Sequence, residues 1–161
     1  MSEKIKFTIR KAHRRDMELV FLLSNDPVVR QQSIHPEIIP LEKHVEWFSR
    51  KINDPDYIFL VVYDQNKQFI GQVRYEINKN SAVVSISISR NFRGKGLAVP
   101  LLKKTAAKVF KMKPEVKGIT AYIKPENIVS AHSFIKAEYA FRRQVLINET
   151  FYHLYTLKRR T

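Results

Sequence analysis

Two glycines in the run Arg90-Asn91-Phe92-Arg93-Gly94-Lys95-Gly96-Leu97-Ala98 sit where a strand is expected to turn into a helix. Before them, Ala82–Ser89 alternates β-branched and small polar residues, the pattern of a strand. After them, positions 98, 101, 102, 105, 106, 109 and 112 of Leu97–Met112 form one face of a helix, all but Thr105 apolar. Gly94 and Gly96 remove side chains, so backbone N–H groups can approach a ligand closely. The first N–H groups of the helix lack intrahelical partners and lie at the positive end of its dipole. Such a turn binds anions, phosphates above all, and Arg93 and Lys95 add two cationic donors.

The type of phosphate ligand follows from what the loop lacks. A dinucleotide fingerprint needs three glycines in a first βα unit, and this loop lies past mid-chain with two. A Walker loop needs Gly-Lys-Ser/Thr, which Gly96-Leu97 breaks. Arg93-Gly94-Lys95-Gly96-Leu97-Ala98 instead resembles the Arg-x-x-Gly-x-Ala pyrophosphate loop of the GCN5-related N-acetyltransferases (GNAT), which bind acetyl-coenzyme A. A glycine-rich β–α turn without a ligand is the plain alternative. The resemblance implies that residues 93–98, with Leu97 and Ala98 at the helix start, hold the pyrophosphate. It also implies that Ile86 and Ile88 of the preceding strand flank the cosubstrate.

A second segment is similar to the other GNAT signature. Gly118–Lys124 is expected as a strand, Pro125-Glu126-Asn127 breaks it, and Ser130–Ala137 is expected as a short helix. By resemblance, Asn127 bonds the pantetheine arm and Ser130 stands beside it; an Asn side chain both donates and accepts, which suits an amide. The alternative for Asn127 is a helix N-cap or a turn residue. The chain departs from the signature at three places. The family's Tyr, the usual acid for the leaving thiolate, falls on Phe134; its Gly falls on Glu138 and its Phe on Tyr139.

These segments need a frame. Lys4–Lys11 alternates as a strand, Asp16–Leu23 is expected helical, and Ser24–Pro40 is a long irregular stretch of the kind that carries function. Leu41–Ile52 is expected as a helix with Leu41, Val45 and Phe48 on one face. Tyr57–Tyr63 and Gln68–Ile77 form a hairpin around residues 64–67, and Phe141–Ile147 and Phe151–Leu157 form another around Asn148-Glu149. The order β-α-α-β-β-β-α-β-α-β-β gives an α/β (α+β) class, a mixed central sheet with helices on both faces. It is also the element order of the GNAT fold, and residues 1–161 are expected to form one such domain.

Composition bounds the rest. The chain has no cysteine, which excludes disulfides, thiolate metal sites and a Cys nucleophile. Its five histidines show no i, i+4 pair, so no metal site is expected. No apolar run reaches membrane-spanning length, and the start of the chain lacks a signal-peptide stretch, so a cytoplasmic protein is expected. The net charge is +14, and residues 90–117 hold nine Lys/Arg against one Glu. A basic face can bind nucleic acid, steer an anionic small molecule, or be solvated. Lys104, Lys108 and Lys111 fall on the polar face of the 97–112 helix, where solvation is the default.

The chemistry implied is acetyl transfer from a thioester to a primary amine. The amine must lose a proton, and Glu76, His35 and Tyr122 are the candidate proton-transfer side chains. Backbone N–H groups of the 85–88 strand would hold the thioester oxygen. Asn25-Asp26-Pro27-x-Val29-Arg30-x-x-Ser33, His44-x-x-Trp47-Phe48 and Gly71-Gln72-Val73-Arg74 resemble GNAT domains of bacterial nonulosonic-acid and surface-polysaccharide pathways, which acetylate nucleotide-linked amino-deoxy sugars. That resemblance implies Arg30, Ser33 and Arg74 as acceptor-binding residues, the arginines pairing with a diphosphate. Ordinary ion pairs with Asp26, Glu37 or Glu76 are the alternative for both arginines. Two rival functions stay open: a GNAT enzyme for a protein N-terminus or another small amine, and a basic nucleic-acid-binding domain. The latter would interleave exposed aromatics with its basic residues, and the 93–117 patch has only Phe110. The expected partners are therefore acetyl-CoA and a small amine, without membrane or nucleic acid, for a monomer or homodimer.

Overall fold

The computed structural model describes residues 4–160. Among them, seven strands form one sheet in the order β1-β2-β3-β4-β5-β7-β6. The strands are β1 (Phe7–Lys11), β2 (Tyr57–Asp64), β3 (Phe69–Asn78), β4 (Ser81–Ile88), β5 (Gly118–Ile123), β6 (Ala140–Ile147) and β7 (Thr150–Lys158). The helices are α1 (Met17–Ser24), α2 (Pro27–Gln32), α3 (Leu41–Lys51), α4 (Ala98–Met112) and α5 (Ile128–Lys136). All neighbouring strands are antiparallel except β4 and β5. The expected α/β class with a mixed sheet is the fold observed.

Strand alternation divides the core in two. Ile58, Leu60 and Val62 of β2 join Val73, Tyr75, Leu101, Leu102 and Val109 in the larger cluster beneath α4. Phe59 and Val61 face the other way and pack with Val20 of α1 and Phe48 of α3. Helices thus cover both faces, which is why β2 reads as a continuous apolar run.

Three local differences from the sequence-based expectation stand out. The stretch 24–40 contains α2, whose six residues are too few for a periodic signal. Asp26 caps it through a 2.9 Å hydrogen bond from the Val28 N–H, and Pro27 takes the first turn, where its missing N–H costs nothing. The buried face of α3 is His44 and Phe48, whereas Leu41 is exposed. Strand β1 begins at Phe7 rather than Lys4.

The parallel pairing of β4 with β5 runs only from Ser81↔Gly118 to Val83↔Thr120. Beyond that point the strands diverge. The last five residues of β4 and the last three of β5 become two lips of a cleft, while β3 stays paired with β4 to Gly71↔Ile88.

Candidate active site

A cavity of about 720 Å³ opens where β4 and β5 separate. Its walls come from β4 (83–88), β5 (121–123), the starts of α4 and α5, and α2, α3 and β3 opposite.

The anion loop lies at one end. Gly94 and Gly96 both have left-handed backbones, φ 72° and 73°, and an added Cβ at either would meet no atom within 4 Å. The loop therefore holds, without strain, a shape that only glycine adopts readily, beside open space through which a ligand can approach its backbone. No side chain caps the N-terminus of α4 at Leu97, so its first N–H groups remain available. Gly94, Lys95 and Gly96 are exposed, Leu97 is buried in the core, and Arg93 and Ala98 line the cavity.

Arg93 is built into the scaffold. Its Nε donates to the Ile88 carbonyl at 2.8 Å, and its Nη2 lies 3.1 Å from Asp26 Oδ1. Asn127 both caps and lines: its Oδ1 accepts from the Ser130 N–H at 3.3 Å, which leaves its amide N–H₂ free toward the cavity. Ser130, Ile86 and Ile88 line the same space. Phe134 is 3% exposed, lines the cavity and meets Tyr139 edge-on at 4.9 Å. Glu138 has φ 76°, the left-handed conformation that a glycine fits best.

On the opposite side, Gln72 and Arg74 of β3 stand across from Ser87 and Ser85 of β4, on the face covered by α1 and α3. The Arg74 guanidinium lies 5.0 Å from the Trp47 ring centroid and 5.9 Å from that of Phe59. Its Nε is buried and unpartnered, and no carboxylate forms an ion pair with it among the described residues. Arg30 is differently employed. Its Nε donates to the Ser24 carbonyl at 2.6 Å, Nη1 to the carbonyls of His35 and Glu37, and Nη2 to Ser33 Oγ at 3.0 Å. Burial and the nearby Arg74 charge both push its pKa below the ordinary guanidinium value. Arg30 and Ser33 line the cavity, but the arginine is spent on shaping the loop rather than free for a diphosphate.

Of the proton-transfer candidates, Tyr122 and His35 line the cavity. Glu76 does not: it is exposed on β3 opposite Val83, beyond the lining. Alternation put it on the correct face and two residues too far along. His44, part of the His44-x-x-Trp47-Phe48 motif, is not among the proton-transfer candidates. It is buried in α3, and its Nε2 donates to the Met17 carbonyl at 3.2 Å. Burial holds its pKa below the ordinary value, with the Arg74 charge acting the same way against that hydrogen bond. Its cue was the His44/Phe48 spacing, masked by expecting Leu41 on the buried face. Lys43 and Lys124 also line the cavity, and among the described residues no Asp or Glu does. Among the described residues no cluster of metal-ligating side chains occurs, and no helix is long and apolar enough to cross a membrane.

Among solved structures, the chain is similar to spermidine N-acetyltransferase from Vibrio cholerae in complex with CoA and spermine. The identity is 23%, over 94% of this chain and 93% of that one, with a TM-score of 0.81. A domain from Methanocaldococcus jannaschii matches at 18% identity over 96% and 99% of the two chains, TM-score 0.81. Aminoglycoside acetyltransferase AAC(6')-Ib in complex with coenzyme A and kanamycin matches at 15% identity over 96% and 95%, TM-score 0.79. At these identities the likeness is one of fold. No curated protein sequence matches the chain. The model of the acetyltransferase (GNAT) domain family matches residues 6–139. With the splayed β4–β5 pair and the open glycine loop beside it, the chain belongs to the GNAT family of acetyl-CoA-dependent N-acetyltransferases.

Proposed function

We propose that residues 1–161 act as one catalytic domain that acetylates the primary amine of an anionic small molecule, a nucleotide-linked amino-deoxy sugar. The observation that carries this reading is the charge of the cavity wall: Arg74, Lys43 and Lys124 line it, and no carboxylate among the described residues does. A polyamine or aminoglycoside is a polycation, and a wall of fixed cations repels it. An acceptor with a diphosphate gains from the same wall. Arg74 is the anion handle, because its guanidinium is unpaired and held against Trp47.

The cosubstrate supplies the acetyl group as an activated thioester. The residues present fit it: an uncapped helix start and two open glycines for the pyrophosphate, the free amide of Asn127 for the pantetheine arm, and Ile86 and Ile88 along the cleft. Backbone groups on the β5-facing edge of residues 85–88, freed by the divergence of the strands, offer N–H donors to the thioester oxygen. With no carboxylate at the cavity, the amine proton passes to water or to the protic side chains Tyr122 and His35. Phe134 cannot protonate the thiolate, so Tyr122 or solvent takes that part. Calorimetry tests the assignment: acetyl-CoA binds first, and a UDP-linked amino-deoxy sugar then binds to the complex. Binding of spermidine in place of the nucleotide sugar contradicts it.

A further inference from the structure

Helix α2 spans the cleft, and each of its ends is tied to a different lip. At its N-terminus, Asp26 faces Arg93 of the anion loop, 3.1 Å from Oδ1 to Nη2. At its C-terminal end, the Gln31 carbonyl accepts from Lys124 Nζ, just past β5, at 2.5 Å. Between them Arg30 gathers the carbonyls of Ser24, His35 and Glu37 and so ties the two ends of the segment 24–37 together. Asp26 belongs to both sites: the same Oδ1 that faces Arg93 accepts the Val28 N–H and starts α2.

The Arg93 fork is divided accordingly. Nε is committed to the Ile88 carbonyl, and Nη2 is buried toward Asp26. Nη1 is the remaining group able to meet an anion. An anion at the loop therefore engages the outer edge of a guanidinium whose inner edge lies in ion-pair range of α2, without an aligned hydrogen bond from Nη2.

We propose that Asp26 is a positioning residue that couples the two binding sites. Through Arg93 it transmits occupation of the anion loop to α2, which forms the acceptor wall. Binding of coenzyme A restrains Arg93, and through the ion pair with Asp26 it holds α2 over the cleft before the acceptor arrives. By linkage, the acceptor tightens coenzyme A by the same factor. The inference rests on coenzyme A binding at residues 93–98 and does not depend on which amine is the acceptor.

The test is amide hydrogen exchange with coenzyme A alone as the probe. In the wild type, coenzyme A slows exchange in residues 93–101 and also in residues 26–35, the latter by about fivefold or more, the lower end of ordinary coupling. Asp26→Asn keeps an equally good N-cap and removes the charge. In it, residues 93–101 remain protected by coenzyme A while the effect at 26–35 disappears. Arg93→Gln gives the same loss at 26–35. The coupling is overturned if coenzyme A leaves 26–35 unchanged or speeds its exchange in the wild type, or if Asp26→Asn retains the full effect. It is also overturned if 26–35 in Asp26→Asn exchanges as an unfolded segment without ligand, since the carboxylate is then structural. Absence of protection at 93–101 in the wild type overturns the cosubstrate site itself, a result distinct from the others.

Discussion

The guanidinium of Arg74 lies 5.0 Å from the Trp47 ring centroid and faces the cavity without a carboxylate partner among the described residues. A cation held on an aromatic face keeps its charge and its orientation while its donors stay free. Arg74→Ala is expected to raise the acceptor KM about tenfold to a hundredfold, the usual cost of a lost charge-assisted hydrogen bond. The acetyl-CoA KM should change less than about twofold, since Arg74 lies across the cavity from the anion loop. Arg74→Lys keeps the charge but not the fork and should recover part of the loss. Steady-state kinetics in both substrates checks this. Equal losses in both would show that Arg74 supports the fold.

Gly96 has φ 73°, and any side chain there is strained by about 1–2 kcal/mol. The space around it is open, so Gly96→Glu folds, but it sets a carboxylate where phosphate oxygens must approach. It is expected to abolish acetyl-CoA binding by calorimetry while the circular dichroism spectrum is kept. Wild-type affinity in this variant would remove the anion site from residues 93–98.

Phe134 occupies the position of the family's thiolate acid and packs against Tyr139. Phe134→Leu should lower kcat by less than about tenfold, because removing a true general acid costs ~10²–10⁴-fold. The loss of packing should cost about 1–2 kcal/mol of stability. A thousandfold drop in kcat with acetyl-CoA binding intact would contradict this reading.

Asp16 anchors α1 to the sheet. Burial pushes its pKa up, but hydrogen bonds from Arg10 (2.8 Å to each oxygen), the His13 N–H and the Tyr63 hydroxyl outweigh that and bring it down to about 2. A depressed carboxylate pKa contributes stability that is present in full above the unfolded value of 3.8 and is lost as pH falls through about 2. Its contribution is about 2 kcal/mol. Denaturant titrations should show a stability loss between pH 4 and 2 that is much shallower in Asp16→Asn. An unchanged slope would contradict the assignment.

Much of this site was legible, for identifiable reasons. The β4–loop–α4 unit announces itself because period-two alternation changes to a helical period across two glycines, and both glycines prove to need positive φ. Glu138, where the second signature has a glycine, takes the left-handed backbone that a glycine fits best. Relieving it with Glu138→Gly is expected to add about 0.5–1 kcal/mol of stability, because αL strain exceeds the glycine entropy cost and the exposed Arg160 pair contributes little.

Other parts depend on tertiary shape. Arg30 reads as a ligand residue because cationic side chains are read by charge, whereas its partners are three carbonyls and the Ser33 hydroxyl, which converge only in the folded loop. Glu76 had the right strand face, but the length of the cavity along β3 is set by α2 and α3, which no pattern in β3 encodes. The Asp26–Arg93 pair joins residues far apart in sequence, so neither motif alone points to the other.

The most direct measurement is kcat/KM of the wild-type enzyme with acetyl-CoA for a UDP-linked amino-deoxy sugar against spermidine and kanamycin in the same assay. A carboxylate-free cationic cavity predicts a preference for the nucleotide sugar of about a hundredfold or more, weakening as salt is raised. Efficient turnover of spermidine or kanamycin with none of the nucleotide sugar would contradict the acceptor assignment and leave the acetyltransferase standing.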